Sequence, residues 1–286
     1  MTDRLADVGA RIHGIRQLGA VANAMRGIAA ARAQQARGQL AAVDAYAATI
    51  AAAIGAVLPS VAAARAEGRR QRSRLALVVF CAEQGFAGAF SERVLDTIVG
   101  DLTECELFLV GTRGGAVAAE RGVARGWRSA MPVHTLGVPR LADTIAEALY
   151  SRIAAGAIDR LDAVFSRWQP GRSAHIERRR LFPFGASRFT PPHGVNAPLL
   201  NLRPEALLGA LTADYIHAQL CNAALHALAA ENEARMAVMA AARHHIEREL
   251  DTLLATQRVV RQEETTAELI ELSAGETASR SNPAHA

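Results

Sequence analysis

Two glycine turns in this chain follow apolar runs, and such turns can cradle a phosphate where a helix begins. Gly85-Phe-Ala-Gly88 comes after Leu75–Phe80 (LALVVF), and Gly111-Thr-Arg-Gly-Gly115 comes after Leu107–Val110 (LFLV). Neither is a G-x-G-x-x-G fingerprint, and the second lacks the acidic residue that a dinucleotide site places downstream. No Walker lysine can follow either turn, because all 32 basic residues are arginine. Both read as structural turns from a strand into a helix.

Other chemistry fares no better. His244 and His245 are adjacent, so on a helix they point about 100° apart and cannot chelate one metal together. His217 and His226 have no partner at ligand spacing, and no H-E-x-x-H occurs. Cys81, Cys105 and Cys221 are odd in number and scattered, which reads as buried reduced thiols. No nucleophile elbow and no local signature of a Ser/His/Asp or Cys/His set is found. The expectation is therefore no catalytic, cofactor-binding or metal-ligating residue, and no cofactor.

Charge is informative in a different way. The net charge is +4, yet aromatics make up only 5% and do not interleave with the basic residues, as they do in nucleic-acid binders. Arg69, Arg70, Arg72 and Arg74 form one basic run and Arg178–Arg180 another. Each reads as a solvated face, with docking on an acidic partner as the alternative. Met1–Gly9 lacks the pattern of a signal peptide. No stretch of about 18 charge-free apolar residues is expected, so membrane contact would come only through partners.

The elements around these residues are dominated by two long helices. The 286 residues are 50% hydrophobic, much of it alanine, which favours helix packed on helix. No proline interrupts Leu5–Leu58, enough for a helix of roughly 80 Å. Its later half carries Leu40, Val43, Ala47, Ile50, Ile54 and Val57 in steps of three and four, a coiled-coil seam. Its earlier half keeps the pattern with one short step. After Pro204 the alternation runs without a break through Met236, Met239, Ile246, Leu250, Leu253 and Val260, on the order of 100 Å of helix. Four positions of that seam are polar: Asn222, Asn232, Arg243 and Gln257. They either set the register of the pair or mark places where the helix changes neighbours.

Between the helices the pattern becomes that of a small α/β domain. Leu75–Phe80 and Leu107–Val110 read as buried parallel strands, Ser91 as the N-cap of a helix with Val94, Leu95 and Ile98 inward, and Leu141–Ala154 as a second helix. Ala163–Trp168 and His175–Phe184 read as later strands about a turn at Pro170–Gly171. The segments are then an N-terminal helix at 1–60, the α/β domain at 74–186, a C-terminal helix at 204–273 and a flexible tail at 274–286. Phe184–Asn201 is a linker.

Four words in this layout resemble a known family. Asn23-Ala-Met25 with Arg26, Ile28, Ala29, Ala30 and Arg32 is similar to its lysine–alanine–methionine word. Arg235-Met-Ala-Val-Met239 is similar to its arginine–methionine word. Arg258, Arg261-Gln262, Thr266 and Glu268-Leu269 follow its C-terminal signature in order and spacing. Glu83-Gln-Gly85-Phe-Ala-Gly88-Ala-Phe-Ser91 resembles its acidic–basic–glycine loop. The family is the gamma subunit of F-type ATP synthases. Small or neutral residues at Ala20 and Asn23, Gln84 in place of a basic residue, and Arg243-His244-His245 mark this chain as a divergent member.

The resemblance implies an antiparallel coiled coil of the N- and C-terminal helices with an inserted Rossmann-like α/β domain. It implies a non-catalytic rotor shaft, coupling ion-driven rotation of the membrane ring to conformational change at catalytic sites on other subunits. Partners would be the alpha and beta subunits, the epsilon subunit and the membrane c ring, with no nucleic acid. The location would be the cytoplasmic face of the bacterial inner membrane. Met25, Arg258, Arg261, Gln262, Thr266 and Glu268 would contact the catalytic ring. Ile50, Ile54, Met236, Met239, Ile246, Leu250, Leu253 and Val260 would form the seam. A basic coiled-coil nucleic-acid binder and a stand-alone α/β enzyme with helical arms are the alternatives.

Overall fold

A computed structural model describes residues 2–62, 74–123, 126–183, 189 and 199–280. The fold is mixed α/β. In chain order its elements are α1 (Thr2–Ala62), β1 (Leu75–Phe80), α2 (Phe90–Asp96), β2 (Cys105–Val110), α3 (Thr112–Glu120), β3 (Trp127–Ser129), α4 (Val138–Ala154), β4 (Arg160–Gln169), β5 (Arg172–Phe182) and α5 (Pro204–Arg280). Short 3₁₀ turns at Val99–Asp101 and Thr135–Gly137 lead into β2 and α4. The chain divides into two compact units, Ala29–Met236 and Met1–Ile28 with Ala237–Ala286.

The larger unit is built on one five-stranded sheet in the order β3-β2-β1-β4-β5. β3, β2, β1 and β4 are parallel, and β5 returns antiparallel along β4. A parallel strand needs cover on both faces, which is why LALVVF is apolar at every position. Ala76, Val78 and Phe80 face α4, α5 and the Ala36–Leu40 turn of α1. Leu77, Val79 and Cys81 face α2 and α3. α5 is buried all round from Ala218 to Asn232, as a helix must be when it has neighbours on every side. Along this stretch α1 runs antiparallel to it: Asn222 donates to Asp44 at 2.7 Å, and Arg37 pairs with Glu233 nearer the start of α1.

In the smaller unit the two helices are again antiparallel. Val8 and Ile12 bury against Leu253, Gly19 lies under Ile246, and Arg4 pairs with Glu263 at 3.3 Å.

Several expectations need correction. Ser91 is not an N-cap, since Ala89 holds that place. Ser91 is buried inside α2, where its hydroxyl accepts from the Ala82 N–H at 3.1 Å. Arg178–Arg180 are not a free docking patch, although Arg178 and Arg180 are exposed as a solvated face requires. Arg178 bridges Asp101 and the buried Asp162, at 2.7 and 2.9 Å, and Arg180 approaches Asp162 at 3.8 Å. Arg179 holds Glu177 and the side chains of Gln219 and Asn222 on α5. Arg69, Arg70 and Arg72 lie outside the described residues, as does most of the linker. Pro59 does not end α1. It sits in the last turn, and the helix runs three residues past it to Ala62. Residues 45–62 are free of charge and mostly apolar, so α1 is by composition long and apolar enough to cross a membrane, contrary to expectation. In the structure Ala47 and Ile54 of this stretch pack with Phe189, Tyr215 and Ala218. The segment expected to be a tail from residue 274 is helical as far as Arg280. β3 went unanticipated because three residues are too short to show a period.

The turn into α3 is set by close approach. Gly111 has φ of 113°, and a Cβ on Gly114 would sit 2.0 Å from the Cys81 Cβ, whereas one on Gly115 would meet nothing nearer than 3.7 Å. Gly114→Ala is expected to lower unfolding free energy by about 3 kcal/mol through overpacking. Gly115→Ala is expected to be neutral or to raise it by up to ~1 kcal/mol through helix propensity. Urea unfolding of the two variants checks this.

His226 stacks on Phe165 at 5.9 Å, and among the described residues its Nδ1 has no partner. Burial, together with Arg167 and Arg179, pushes its pKa down to about 4. Below the ordinary value near 6.5 the unfolded chain takes up a proton that the folded chain refuses. This contribution is therefore full above about pH 6.5 and is lost as pH falls toward 4. The loss of unfolding free energy between pH 7 and pH 5, measured by urea titration, is expected to be smaller in His226→Phe than in the parent.

Candidate functional site

The first glycine turn is a junction rather than a ligand site. The Glu83 carboxylate accepts from the Thr112 N–H and hydroxyl, at 2.9 and 2.8 Å, and from the Met131 N–H at 2.8 Å. It thus caps the N-terminus of α3, the place an anion would take. Glu231 of α5 accepts from the N–H groups of Glu83 and Gln84 at 3.1 and 3.2 Å. One turn further, Arg235 donates to the carbonyls of Gly85 and Gln84 at 3.1 and 3.3 Å, and to Asn232 at 2.9 Å. Arg235 and Glu231 also pair directly, with side chains only 5% and 3% exposed. Each charge is thereby satisfied, as a charge in such a place must be. Arg32 of α1 reaches the same loop, donating to Gln84 at 3.1 Å.

So held, the loop carries Phe86 at φ of 60° with its ring largely exposed, followed by Gly88 at φ of 59°. Close by on α5, Glu233 accepts from the Trp168 indole at 3.1 Å and pairs with Arg37, whose guanidinium lies 4.5 Å from the centre of the Trp168 ring.

The residues expected to touch a catalytic ring belong to the other compact unit. Arg258, Arg261, Gln262, Thr266 and Glu268 are all exposed on α5. None has an ion-pair partner among the described residues, and the Thr266 hydroxyl bonds back to the Gln262 carbonyl. Val259, Leu269, Ile270 and Leu272 beside them expose more than half their surface. Met25 is half-buried and lies elsewhere along the unit: its neighbour Arg26 shares a small pocket with Ala240, Arg243, His244 and Glu247. Arg11, Ile15, Leu18, Val21 and Leu253 line an open, mainly apolar groove of about 560 Å³. Of the seam residues, Ile54, Met239, Leu253 and Val260 are buried, and Ile50, Met236, Ile246 and Leu250 are partly so. Among the polar seam positions, Asn222 joins Asp44 of α1 to Arg179 of β5, and Asn232 serves Arg235. Arg243 is exposed and pairs with Glu247 at 2.7 Å.

The three thiols have no role at either place. Burial pushes Cys81 up to about 12 and Cys105 and Cys221 up to about 11. Among the described residues no cluster of His, Cys, Asp or Glu could hold a metal.

The family model described as ATP synthase matches residues 4–278. The chain belongs to the ATP synthase gamma family. It is 28% identical to the ATP synthase gamma chain of Parafrankia sp. (strain EAN1pec), covering 97% of this chain and 98% of that one. It is also 28% identical to the gamma chain of Acidothermus cellulolyticus, covering 93% of each. Among solved structures it is similar in fold to a chain of the Euglena gracilis mitochondrial ATP synthase rotor, with a TM-score of 0.62 and 12% identity over 93% of this chain and 100% of that one. A chain of the OSCP/F1/c-ring assembly of the same enzyme matches at 0.63 and 13% identity, over 100% and 98%. The role is that of the family, the central shaft of an ATP synthase, part of a membrane-associated ATPase complex.

Family membership displaces the nucleic-acid and stand-alone-enzyme alternatives. It also gives the four gamma-family words a spatial meaning. Three converge: the word beginning at Asn23 ends in Arg32, the glycine loop supplies residues 83–85, and the word beginning at Arg235 closes on them. In the fourth, Arg258, Arg261, Gln262, Thr266, Glu268 and Leu269 are exposed. Sequence reasoning missed Glu83 and Glu231 as the partners that make the junction. A signal for Glu231 was present, since it and Arg235 are four apart in a stretch otherwise rich in alanine and leucine.

Proposed function

We propose that this shaft is itself non-catalytic and turns inside a ring of alpha and beta subunits that hold the nucleotide. The antiparallel pairing of α1 with α5 in each unit supports a coiled coil of the two helices. The strand order β3-β2-β1-β4 supports a Rossmann-like domain, which would join the epsilon subunit and the membrane c ring. The complex would sit on the cytoplasmic face of the bacterial inner membrane.

The observation that carries the ring contact is the exposed stretch of α5 from Arg258 to Leu272. There Arg258, Arg261 and Glu268, which have no ion-pair partner among the described residues, stand beside exposed apolar side chains. Arg258 and Arg261 suit carboxylates or main-chain carbonyls of a ring subunit, in bidentate geometry where available. Gln262, Thr266 and Glu268 add hydrogen bonds, and Met25 an apolar contact. A shaft that presents a different face to each catalytic subunit binds their conformations unequally, and only such differential contact can shift their populations.

Reconstitution with alpha and beta subunits tests the assignment: ATP hydrolysis by the ring should depend on this chain. Arg261→Ala and Glu268→Ala each remove charge-assisted bonds to the ring of about 1.5–3 kcal/mol. Coupled ATP synthesis in membrane vesicles is expected to fall roughly tenfold or more. The unfolding free energy of the isolated chain should move by no more than ~0.5 kcal/mol. Normal coupled synthesis in both variants would contradict the proposed contact.

A further inference from the structure

Where α5 packs on the sheet, its buried apolar surface combines Ala223, Ala224, Ala227, Ala229 and Ala230 with Ile216, Leu220, Leu225 and Leu228. Apolar burial has no direction. Such a surface resists separation, but it fixes one angle about the helix axis less sharply than polar contacts do. Hydrogen bonds are directional.

Besides the Trp168 indole of β4, which donates to Glu233 at 3.1 Å, two sets of polar contacts hold this part of α5. Arg179 of β5 holds Gln219 and Asn222 at 2.9 and 2.8 Å. Glu231 and Arg235 hold the loop after β1 through four main-chain atoms, the N–H groups of Glu83 and Gln84 and the carbonyls of Gln84 and Gly85. Glu231 lies nine positions beyond Asn222, about 2.5 turns, so the two side chains leave the helix on roughly opposite sides. Opposed attachments resist axial rotation more sharply than the apolar surface does. At the second attachment the load reaches main chain directly, a few residues beyond the end of the central strand. The Glu83 side chain spreads it to α3 and Met131.

We propose that Glu231 and Arg235 are torque-bearing positioning residues that key the α/β sheet to the rotation of α5. The proposal rests on the shaft role. The test uses the full chain assembled with its ring partners, with a bead attached through Glu120→Cys on the exposed side of α3. Torsional stiffness is read from the angular fluctuation of the bead between ATP-driven steps. If three similar attachments act in parallel and one is lost, stiffness should fall by about a third or more in Arg235→Met. Glu231→Gln keeps the volume but weakens the hold on the two N–H groups, and should soften the link in the same direction. It carries the test if Arg235→Met does not assemble. Leu149→Ala, a cavity in α4 away from the loop, is the control: its melting temperature should fall while stiffness stays at the parent value. Parent-like stiffness in both clasp variants, or equal softening in Leu149→Ala, would overturn the proposal. A parent bead that never turns under ATP would instead contradict the shaft role, and the clasp's function with it.

Discussion

A buried ion pair on a single helix ties together most of what is specific about this chain. Glu231 and Arg235 cannot stay charged inside the protein unless their hydrogen-bonding capacity is filled, and the main chain of residues 83–85 fills it. That requirement fixes the loop after β1. The loop in turn aims Glu83 at the start of α3 and at Met131, beside the last turn of β2 and the edge strand β3. The glycines nearby follow from the same crowding, because Gly111 and Gly114 pass so close to Cys81 that a methyl group does not fit. Arg32 reaches the loop from the other long helix. One polar contact thus links both helices to the sheet.

The rest of α5 shows the same division between smooth packing and directional contact. Its alanine-rich stretch lets the sheet approach closely, and its few polar side chains decide where the sheet sits. Asn222 is the clearest case, shared between Asp44 on α1 and Arg179 on β5. Further along, at the last turns of α5, three charged groups have no ion-pair partner among the described residues. Arg258, Arg261 and Glu268 are exposed, and apolar residues beside them are exposed as well. A helix that pairs its buried charges in one stretch, and leaves a mixed polar and apolar face open in another, is suited to different neighbours in the two places.

Much of this was legible from residue types alone. LALVVF could only be a strand covered on both faces, and the long three-four alternation could only be a long helix. The polar interruptions at Asn222 and Asn232 were legible as special positions, but the partners of Asn222 were not, because Arg179 and Asp44 are distant in sequence. Arg178–Arg180 were legible as an exposed run, but the ion pairs of Arg178 with Asp101 and Asp162 were not, because both carboxylates are distant in sequence. Ser91 misled for a physical reason. Its type favours an N-cap, but the Ala82 N–H needed a buried acceptor and took it. Phe86 gave no signal, since nothing in its type foretells a left-handed backbone. The charge-free run at 45–62 shows the limit of composition, because a packed alanine helix and a membrane span look alike in sequence.

The loop's attachment to α5 is tested most directly by amide hydrogen exchange at Glu83 and Gln84. These two N–H groups lie outside any helix or strand, and the structure bonds both to the Glu231 carboxylate. Exchange of both as slow as that of the β1 amides Val78 and Val79 is the predicted result, because opening the loop would strand a buried ion pair. Exchange at the rate of a solvent-exposed loop would contradict the account.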